Sequence, residues 1–436
     1  MAASPFALAQ QGGPQQQPPQ EPPPGDQKIG ELALPGINKL TVTGQWRFRY
    51  EGFYDYDFNR DAGPSADFLS QRARIKFDFE ATDDINVVFE LQDVRNWGEE
   101  LSTVDDSADG LDFHQAYVQI ENMPGIGGTM KAGRQRLVYG DQRIIGGLDW
   151  LQQARAFDGV RNRWSDEDGW VDAFVTQIRE TFTNATTTAG YSDQYFMGVY
   201  AHRKLGEDGY IEPYLLFLQD SGVTAGASQN RGTLGALVKQ QLTDELLVGG
   251  EFATQFGEQG GADIPFFETF AANIHARLKP RESDFWFGLD LNYATGNDPN
   301  SADNERFNNL FPTAHKFWGY MDFATWSNLM HGSVMAGMQF TPKSSLEAHL
   351  HTFRSVEETD RLAGPRGTLS NGVFGGSRSM GEEIDVVYKL AIDTGGKSRA
   401  HLHIGYGIFL PGAGVEDAFG SDDVAHFAYV ETGVLF

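Results

Sequence analysis

The sequence predicts an all-β fold: a transmembrane antiparallel β-barrel of about 18 strands, with short periplasmic turns and long extracellular loops. Three observations lead there. Apolar and polar residues alternate along segments of roughly 9 to 13 residues, longer than the 5 or 6 usual in soluble sheets and enough to cross a bilayer at a tilt. The polar faces of these segments are densely charged, as a water-filled lumen allows. The connections between segments alternate between short and long, and a soluble sandwich has no reason to sort its loops by parity.

Composition agrees. The 436 residues include 51 glycines, 13% aromatics and no cysteine. Many aromatics and glycines suit strands joined by turns, and the missing cysteines remove disulfides and thiolate metal sites. A formal net charge of -26 lacks the basic footprint of a nucleic-acid binder. There is no apolar run long enough for a transmembrane helix, which a barrel does not need.

Residues 1–38 are expected to be a separate head. Ala7-Leu8-Ala9 before Gln10 has the A-x-A form of a secretory cleavage site, so the start reads as a signal-peptide remnant of an exported chain. "QQGGPQQQPPQEPPPGD" follows, a Pro/Gln tract that cannot build a core and is expected to be a disordered periplasmic segment. The barrel is expected over residues 39–436.

The alternation starts in "LTVTGQWRFRY", where Leu40, Val42, Trp46, Phe48 and Tyr50 share one face and Thr41, Thr43, Gln45, Arg47 and Arg49 the other. In "LSQRARIKFDFEA", Ala73, Ile75, Phe77 and Phe79 oppose Arg72, Arg74, Lys76, Asp78 and Glu80. In "INVVFELQ", Ile85, Val87, Phe89 and Leu91 oppose Asn86, Glu90 and Gln92. Segments of this kind begin near Leu40, Leu69, Asp84, Asp112, Gly128, Arg155, Trp170, Gln194, Tyr210, Arg231, Glu245, Glu268, Asp284, His331, Ser345, Met380, Arg399 and His426. Short links such as "TDD", "SDEDG", "QLTD", "PKS" and "DTGGKS" contrast with the long stretches 51–68, 93–111, 137–151, 294–330 and 354–379. Within the second of these, "QDVRNWGEELSTV" is a candidate short helix. Tyr50, Trp164, Trp170, Tyr200, Tyr210 and Trp286 are candidates for interfacial girdles. The terminal strand ends on Phe436 with Val430 and Val434 on the same face, the kind of signal read by the outer-membrane barrel assembly machinery. That strand must pair with the first to close the ring.

"GRQRLVYGDQRIIGGLDW", "FDGVR", "NERFNNLFPTAHKFWGYMDFATWSNL", "GEEIDVVYKL" and "FAYVETGVLF" together resemble the alginate export family of outer-membrane channels, from about Leu40 to Phe436. The resemblance implies an eighteen-stranded barrel that carries a polyuronate through an arginine-lined pore.

Such a polymer bears a carboxylate on every sugar. Spaced arginines suit it, because each fork binds a carboxylate bidentately, while weak and multiple contacts let the chain move on. Parity puts Arg47, Arg49, Arg72, Arg74 and Lys76 on the luminal face, with Lys131, Arg161 and Arg163. Asp78, Glu80 and Glu90 could instead pair with them in ladders that only stabilise a wet interior. Arg134, which the family's Gly-Arg-Gln motif implies to be a substrate contact, falls by strict alternation on the lipid face with Met130 and Ala132. A bulge at Gly133 is therefore expected to turn it inward. Arg136, Asp141, Arg143 and Asp149 are expected to meet across the lumen, with Asp158 and Arg161 beside them, as a constriction or as a self-paired loop. His315, among aromatics, reads as a packed loop residue rather than a catalyst, within a loop that gates the mouth or stacks sugars. Asp298, Asp303 and Glu305 match no calcium-loop spacing.

The expected function is a passive outer-membrane channel for an anionic polysaccharide such as alginate, in the export direction, with no catalytic residues, cofactor or metal. The alternatives are a porin-like uptake channel for small anions or oligouronates, an outer-membrane enzyme, and a soluble secreted glycan-binding protein. The other expected partners are outer-membrane lipid, lipopolysaccharide bridged by divalent cations to the acidic loops, and a periplasmic secretion protein.

Overall fold

The computed structural model describes residues 30–34, 36–61, 66–98, 111–179, 193–222, 228–360, 376–394 and 398–436. The strands are β1 (Gly30–Leu34), β2 (Ile37–Tyr54), β3 (Ala66–Glu80), β4 (Ile85–Asn96), β5 (Asp112–Ile120), β6 (Thr129–Gln135) and β7 (Phe157–Asp166). Then come β8 (Gly169–Arg179), β9 (Gln194–Lys204), β10 (Gly209–Asp220), β11 (Gln229–Gln241), β12 (Leu246–Gln259), β13 (Ala262–Ile264) and β14 (Phe270–Leu278). The last are β15 (Phe285–Ala294), β16 (Leu329–Thr341), β17 (Ser344–Ser355), β18 (Ser379–Asp393), β19 (Arg399–Pro411) and β20 (Ala425–Leu435). One short helix, α1 (Ala413–Phe419), lies in the last long loop.

Eighteen of these strands form a closed antiparallel barrel, with β1 and β13 as accessories. Each begins within three residues of its sequence-predicted start. The ring closes where β2 meets β20, from Gln45 opposite Leu435 to Tyr54 opposite His426. Phe436 finishes the seam: Gly44 N–H donates to its carbonyl at 2.6 Å, and its own N–H donates back to Gly44 at 3.0 Å. Its ring lies where a Cβ on Gly44 would stand. Below that point β2 extends past its partner, and β1 covers the bare edge from Leu34 opposite Ile37 to Gly30 opposite Val42. This strand falls inside the head expected to lack structure; residues 1–29 lie outside the described residues. In the candidate helix, Gln92–Asn96 continue β4, and 99–104 lie outside the described residues.

The wall separates solvents as the alternation requires. Trp46, Ile75, Val160, Leu289 and Val334 are exposed on the outer face, while Arg47, Arg74, Asp172, Asp290 and Asp385 are buried within. The girdle assignment needs correction for four aromatics. Tyr50 and Trp164 point outward, but Trp170, Tyr200, Tyr210 and Trp286 take the luminal parity of Asp172, Glu212 and Asp290. Trp170 and Tyr200 belong to an internal stack in which Tyr200 lies 4.4 Å from Tyr139 and 5.3 Å from Tyr214. Each tyrosine hydroxyl donates to an inner-wall carboxylate: Tyr139 to Asp172 at 2.7 Å, Tyr200 to Glu212 and Tyr214 to Glu251, both at 2.8 Å. Ring patterning alone does not separate a wet interface from a luminal stack, since both favour an apolar body with a polar tip.

Replacing Gly44 with valine forces a side chain against the Phe436 ring, an overpacking cost of about 1–3 kcal/mol at the seam. The variant is expected to yield less of the compact, heat-modifiable form on unboiled gel electrophoresis, whereas alanine at the outward, exposed Trp46 leaves that fraction unchanged.

Candidate functional site

The lumen is filled from one end by two long loops, and the arginines of β2 and β3 hold the first. The loop at residues 136–156 enters the barrel and lays its backbone on them. Arg47 donates to the carbonyl of Asp149 at 2.9 Å, to that of Trp150 at 3.2 Å, and to the Gln152 side chain at 2.9 Å. Arg49 reaches the Trp150 carbonyl at 2.6 Å and stacks its guanidinium 3.7 Å over the Trp150 ring. Arg72 donates to the carbonyl of Gln152 and Arg74 to that of Gln153, each at 3.3 Å. A loop packed inside a barrel has no neighbouring strand for its carbonyls, and the five donors of a guanidinium meet that need. Leu148 and Ala154 bracket the segment with left-handed backbones, φ 52° and 54°. Together the four arginines are 1–2% exposed, so they lie beneath the loop rather than open to the passage.

Carboxylates balance part of this charge. Glu51 takes Arg49 at 2.8 Å, and Glu431 lies 3.2 Å from Arg49 and 3.6 Å from Arg47. Asp149 pairs with Arg136 and lies 3.9 Å from Arg74. Burial works against its charge, but Arg136, Arg72, Arg74 and Arg47 outweigh burial and hold its carboxyl below the usual range.

The second loop, residues 295–328, locks onto the first. Ile145 bridges Phe311, with Gly146 N–H donating to the Phe311 carbonyl at 2.8 Å and Phe311 N–H donating to Ile144 at 2.9 Å. Arg155 caps the junction through the carbonyls of Gly146 at 2.9 Å and Pro312 at 3.1 Å. Phe307, Trp318, Phe323 and Trp326 give this loop a buried core of its own. His315 stacks 3.7 Å from Trp150, with Nδ1 3.2 Å from Asp322, as a packed loop residue. Phe53, Tyr56, Phe68, Trp150, His315 and Asp322 are among the residues that line a cavity of about 450 Å³ beside this stack.

Of the expected meeting of Arg136, Asp141, Arg143 and Asp149, the structure forms the ion pair of Arg136 with Asp149, while Asp141 and Arg143 take their ion-pair partners on the wall. Arg143 reaches the far wall, where it pairs with Asp290, donates to Asn292 at 3.1 Å and stacks 3.9 Å over Phe317. Asp141 pairs with Lys239 of β11. Burial opposes its charge too, but Lys239, Lys316, His275 and Arg143 keep it well below the usual range, while burial pushes Lys316 down to about 7.

Arg134 corrects the expected bulge. The ladder runs unbroken through Gly133, and Arg134 stands opposite Asp158 on the outer face with Ala132 and Val160. The two side chains are 37% and 58% exposed and pair at 2.8 Å. They sit at the loop end of the wall, where a paired arginine costs little compared with one at the membrane midplane. Asp158 is therefore not beside Arg161 in the lumen.

Lys76, Lys131, Arg161 and Arg163 do face inward. Lys76 lies 3.6 Å from Asp78. Lys131 stands directly opposite Arg161, its ammonium 4.5 Å from the Tyr117 ring centre. Asp172, fully buried, serves both Arg161 at 3.6 Å and Arg163 at 2.7 Å. Of the inner-wall cations, Arg163 is more open than the β2 and β3 arginines, with 30% of its side chain exposed. Among the described residues, Asp298, Asp303 and Glu305 do not gather into a ligand set.

The sequence profile described as alginate export matches residues 38–429. The chain belongs to the alginate export family. Solved structures with the same fold include Acinetobacter baumannii OccAB2, 12% identical over 92% of this chain and 98% of that one, with a TM-score of 0.59. The outer membrane protein OprD of Pseudomonas aeruginosa is 12% identical over 91% and 94%, with a TM-score of 0.60. OccD3 of the same organism is 11% identical over 94% and 93%, with a TM-score of 0.58. No curated sequence is similar enough to count as a relative. The localisation follows: this alginate-export barrel is an outer-membrane protein.

Within the alginate-export barrel, the sequence reading missed Asp172, Lys239, Arg155, Gln152 and Glu431. Asp172 and Glu431 were open to it, because each alternates with outward valines in "WVDAFV" and "YVETGV". The others act through tertiary contacts of a loop that carries no period.

Arg47→Ala removes four hydrogen bonds to the loop and takes the arginine donor from the Asp149 carbonyl and the Gln152 side chain, at roughly 1–3 kcal/mol for each acceptor left unpaired. The expected result is a larger, noisier single-channel conductance and new protease cleavage within residues 149–153. Acid provides a second check. A carboxylate with a depressed pKa contributes stability above its unfolded value, and loses it as pH falls through the folded one. The loop should therefore stay docked from neutral pH down to about 4, and conductance noise should rise only below the ordinary aspartate value of about 3.9.

Proposed function

We propose that the protein is a passive channel for an anionic polysaccharide of the polyuronate class, moved outward, and that the inner-wall cations of β6 and β7 make the contacts with it. The observation that carries this reading is the Lys131–Arg161 pair. Like charges directly opposite one another in a sheet are destabilising, and a wall selected for stability alone would avoid them. Here one carboxylate, Asp172, pairs with both Arg161 and Arg163, and Lys131 stands beside them over the Tyr117 ring, so the cluster keeps a surplus positive charge facing the lumen. A passing uronate would offset that surplus, and bidentate guanidinium contacts would favour a carboxylate over a neutral sugar.

The arginines of β2 and β3 have a different part in this reading. They brace the loop that narrows the passage, and Arg136 and Asp149 stand on that loop as a charge pair at its edge. Family membership supports the substrate class. A conduit is also favoured over a rim-facing catalyst, because the outward His426 bonds to the Tyr406 hydroxyl at 2.7 Å rather than to a carboxylate. Uptake of small anions or oligouronates is the competing reading, supported by the narrowing that the two loops impose.

Planar-bilayer recordings under a salt gradient test the proposal. The wild type should prefer anions, and Lys131→Ala with Arg161→Ala should lower the anion-to-cation permeability ratio at least about twofold by weakening the local field. A polyuronate should block the current reversibly, and a neutral glucan should not. Cation preference, or a ratio unmoved by both substitutions, refutes the cationic passage. Stronger block by a trisaccharide than by the polymer favours uptake.

A further inference from the structure

A second group of inner-wall residues lies outside this cation cluster, on the opposite side of the closing seam. His401 and His403 follow each other at a two-residue interval near the short-turn end of β19, so both rings face the lumen. Glu431 of β20 stands directly opposite His403, and Gly433 stands opposite His401. His401 Nε2 lies 3.3 Å from Glu431 Oε1, and His403 Nδ1 lies 3.7 Å from the same oxygen. The three donor atoms fall within 4.8 Å of one another. Two imidazoles and one carboxylate are the donor set that borderline-soft divalent ions prefer, and three protein ligands leave a coordination position open.

Two further features suit a bound ion. The carboxylate divides its work: Oε2 faces Arg49 at 3.2 Å and Arg47 at 3.6 Å, while Oε1 faces the histidines. The arginines thus act as outer partners that orient the ligand oxygen. Gly433 also makes room for the site, since a Cβ there would come within 2.5 Å of His401 Cε1. His401 and His403 side chains are 14% and 23% exposed, so solvent reaches them, whereas Glu431 is covered.

We propose that His401, His403 and Glu431 form a binding site for a borderline-soft divalent cation of the zinc and cobalt type, on the luminal wall beside the closing seam. The ion binds through the two imidazoles and Glu431 Oε1, with its remaining positions on water. A divalent ion there adds positive charge beside Arg47 and Arg49, below the docked loop. Hard cations such as magnesium, which require an oxygen shell, are poor occupants of this set. The assignment is independent of what the channel carries.

The test uses the full-length barrel in detergent, without a polyhistidine tag. Cobalt(II) is titrated and its visible absorption recorded. The wild type should develop the intense bands of a low-coordinate ion with nitrogen ligands, saturating at one ion per chain, and zinc should displace it while magnesium does not. His401→Ala and His403→Ala should each weaken cobalt binding at least about tenfold, and His426→Ala, on the outer face, should not change it. Folding of each variant is checked by heat-modifiable mobility. In bilayers, zinc added on the short-turn side should alter the wild-type current and leave the double variant unaffected. Absence of a cobalt spectrum in the wild type overturns the proposal without any variant, and so does undiminished binding in the folded double variant.

Discussion

A backbone that enters the middle of a barrel must find partners for its carbonyl groups, and the four arginines of β2 and β3 supply them. The remainder of the lumen follows from that constraint. Because Arg47, Arg49, Arg72 and Arg74 lie under residues 149–153, the loop has a fixed position. A fixed first loop gives the second an edge to pair with, through Ile145 and Phe311. The second loop buries its aromatic residues against that edge and against the wall. Removing water from this assembly strengthens each charge pair inside it, and it also makes every unpaired group costly.

Charge is distributed unevenly around the ring. Arginine and lysine dominate the inner faces of β2, β3, β6 and β7, whereas Glu212, Glu251, Asp290, Glu383 and Asp385 lie on the inner faces of β10, β12, β15 and β18. The loops bridge the two sides, with carbonyls turned to the basic wall and Arg143 turned to the acidic one. An acidic protein can therefore keep a local positive surface, and net charge says little about the lumen.

Most of the barrel was legible in the sequence because a strand's two faces are encoded locally. Leu40 to Tyr50 states which side chains meet lipid without reference to any other strand, and so do Ala73 to Phe79. The luminal parity of Arg47, Arg72, Lys131 and Arg161 came from the same rule. Arg134 is instructive: the alternation put it outside, the family motif suggested inside, and the unbroken ladder at Gly133 follows the alternation. What could not be read was tertiary. Nothing local to Arg47 announces that its partners are carbonyls about a hundred residues away, and nothing local to Trp170 distinguishes an inner stack from a lipid interface. His401 and His403 share a face of β19, but Glu431 is 30 residues from His401, and only the register of β19 against β20 brings it to them.

The loop at residues 136–156 touches the ring at widely separated points: Arg47 and Arg72 on one side, Asp290 and Lys239 on the other. Mechanically it is a tie-rod. An empty cylinder of this kind could flatten under the lateral pressure of the surrounding leaflet, but here ovalisation would have to stretch guanidinium–carbonyl hydrogen bonds at one end of the rod and ion pairs at the other. The aperture therefore keeps its outline when lipid packing changes, and its dimensions are set by the protein rather than by the membrane that holds it.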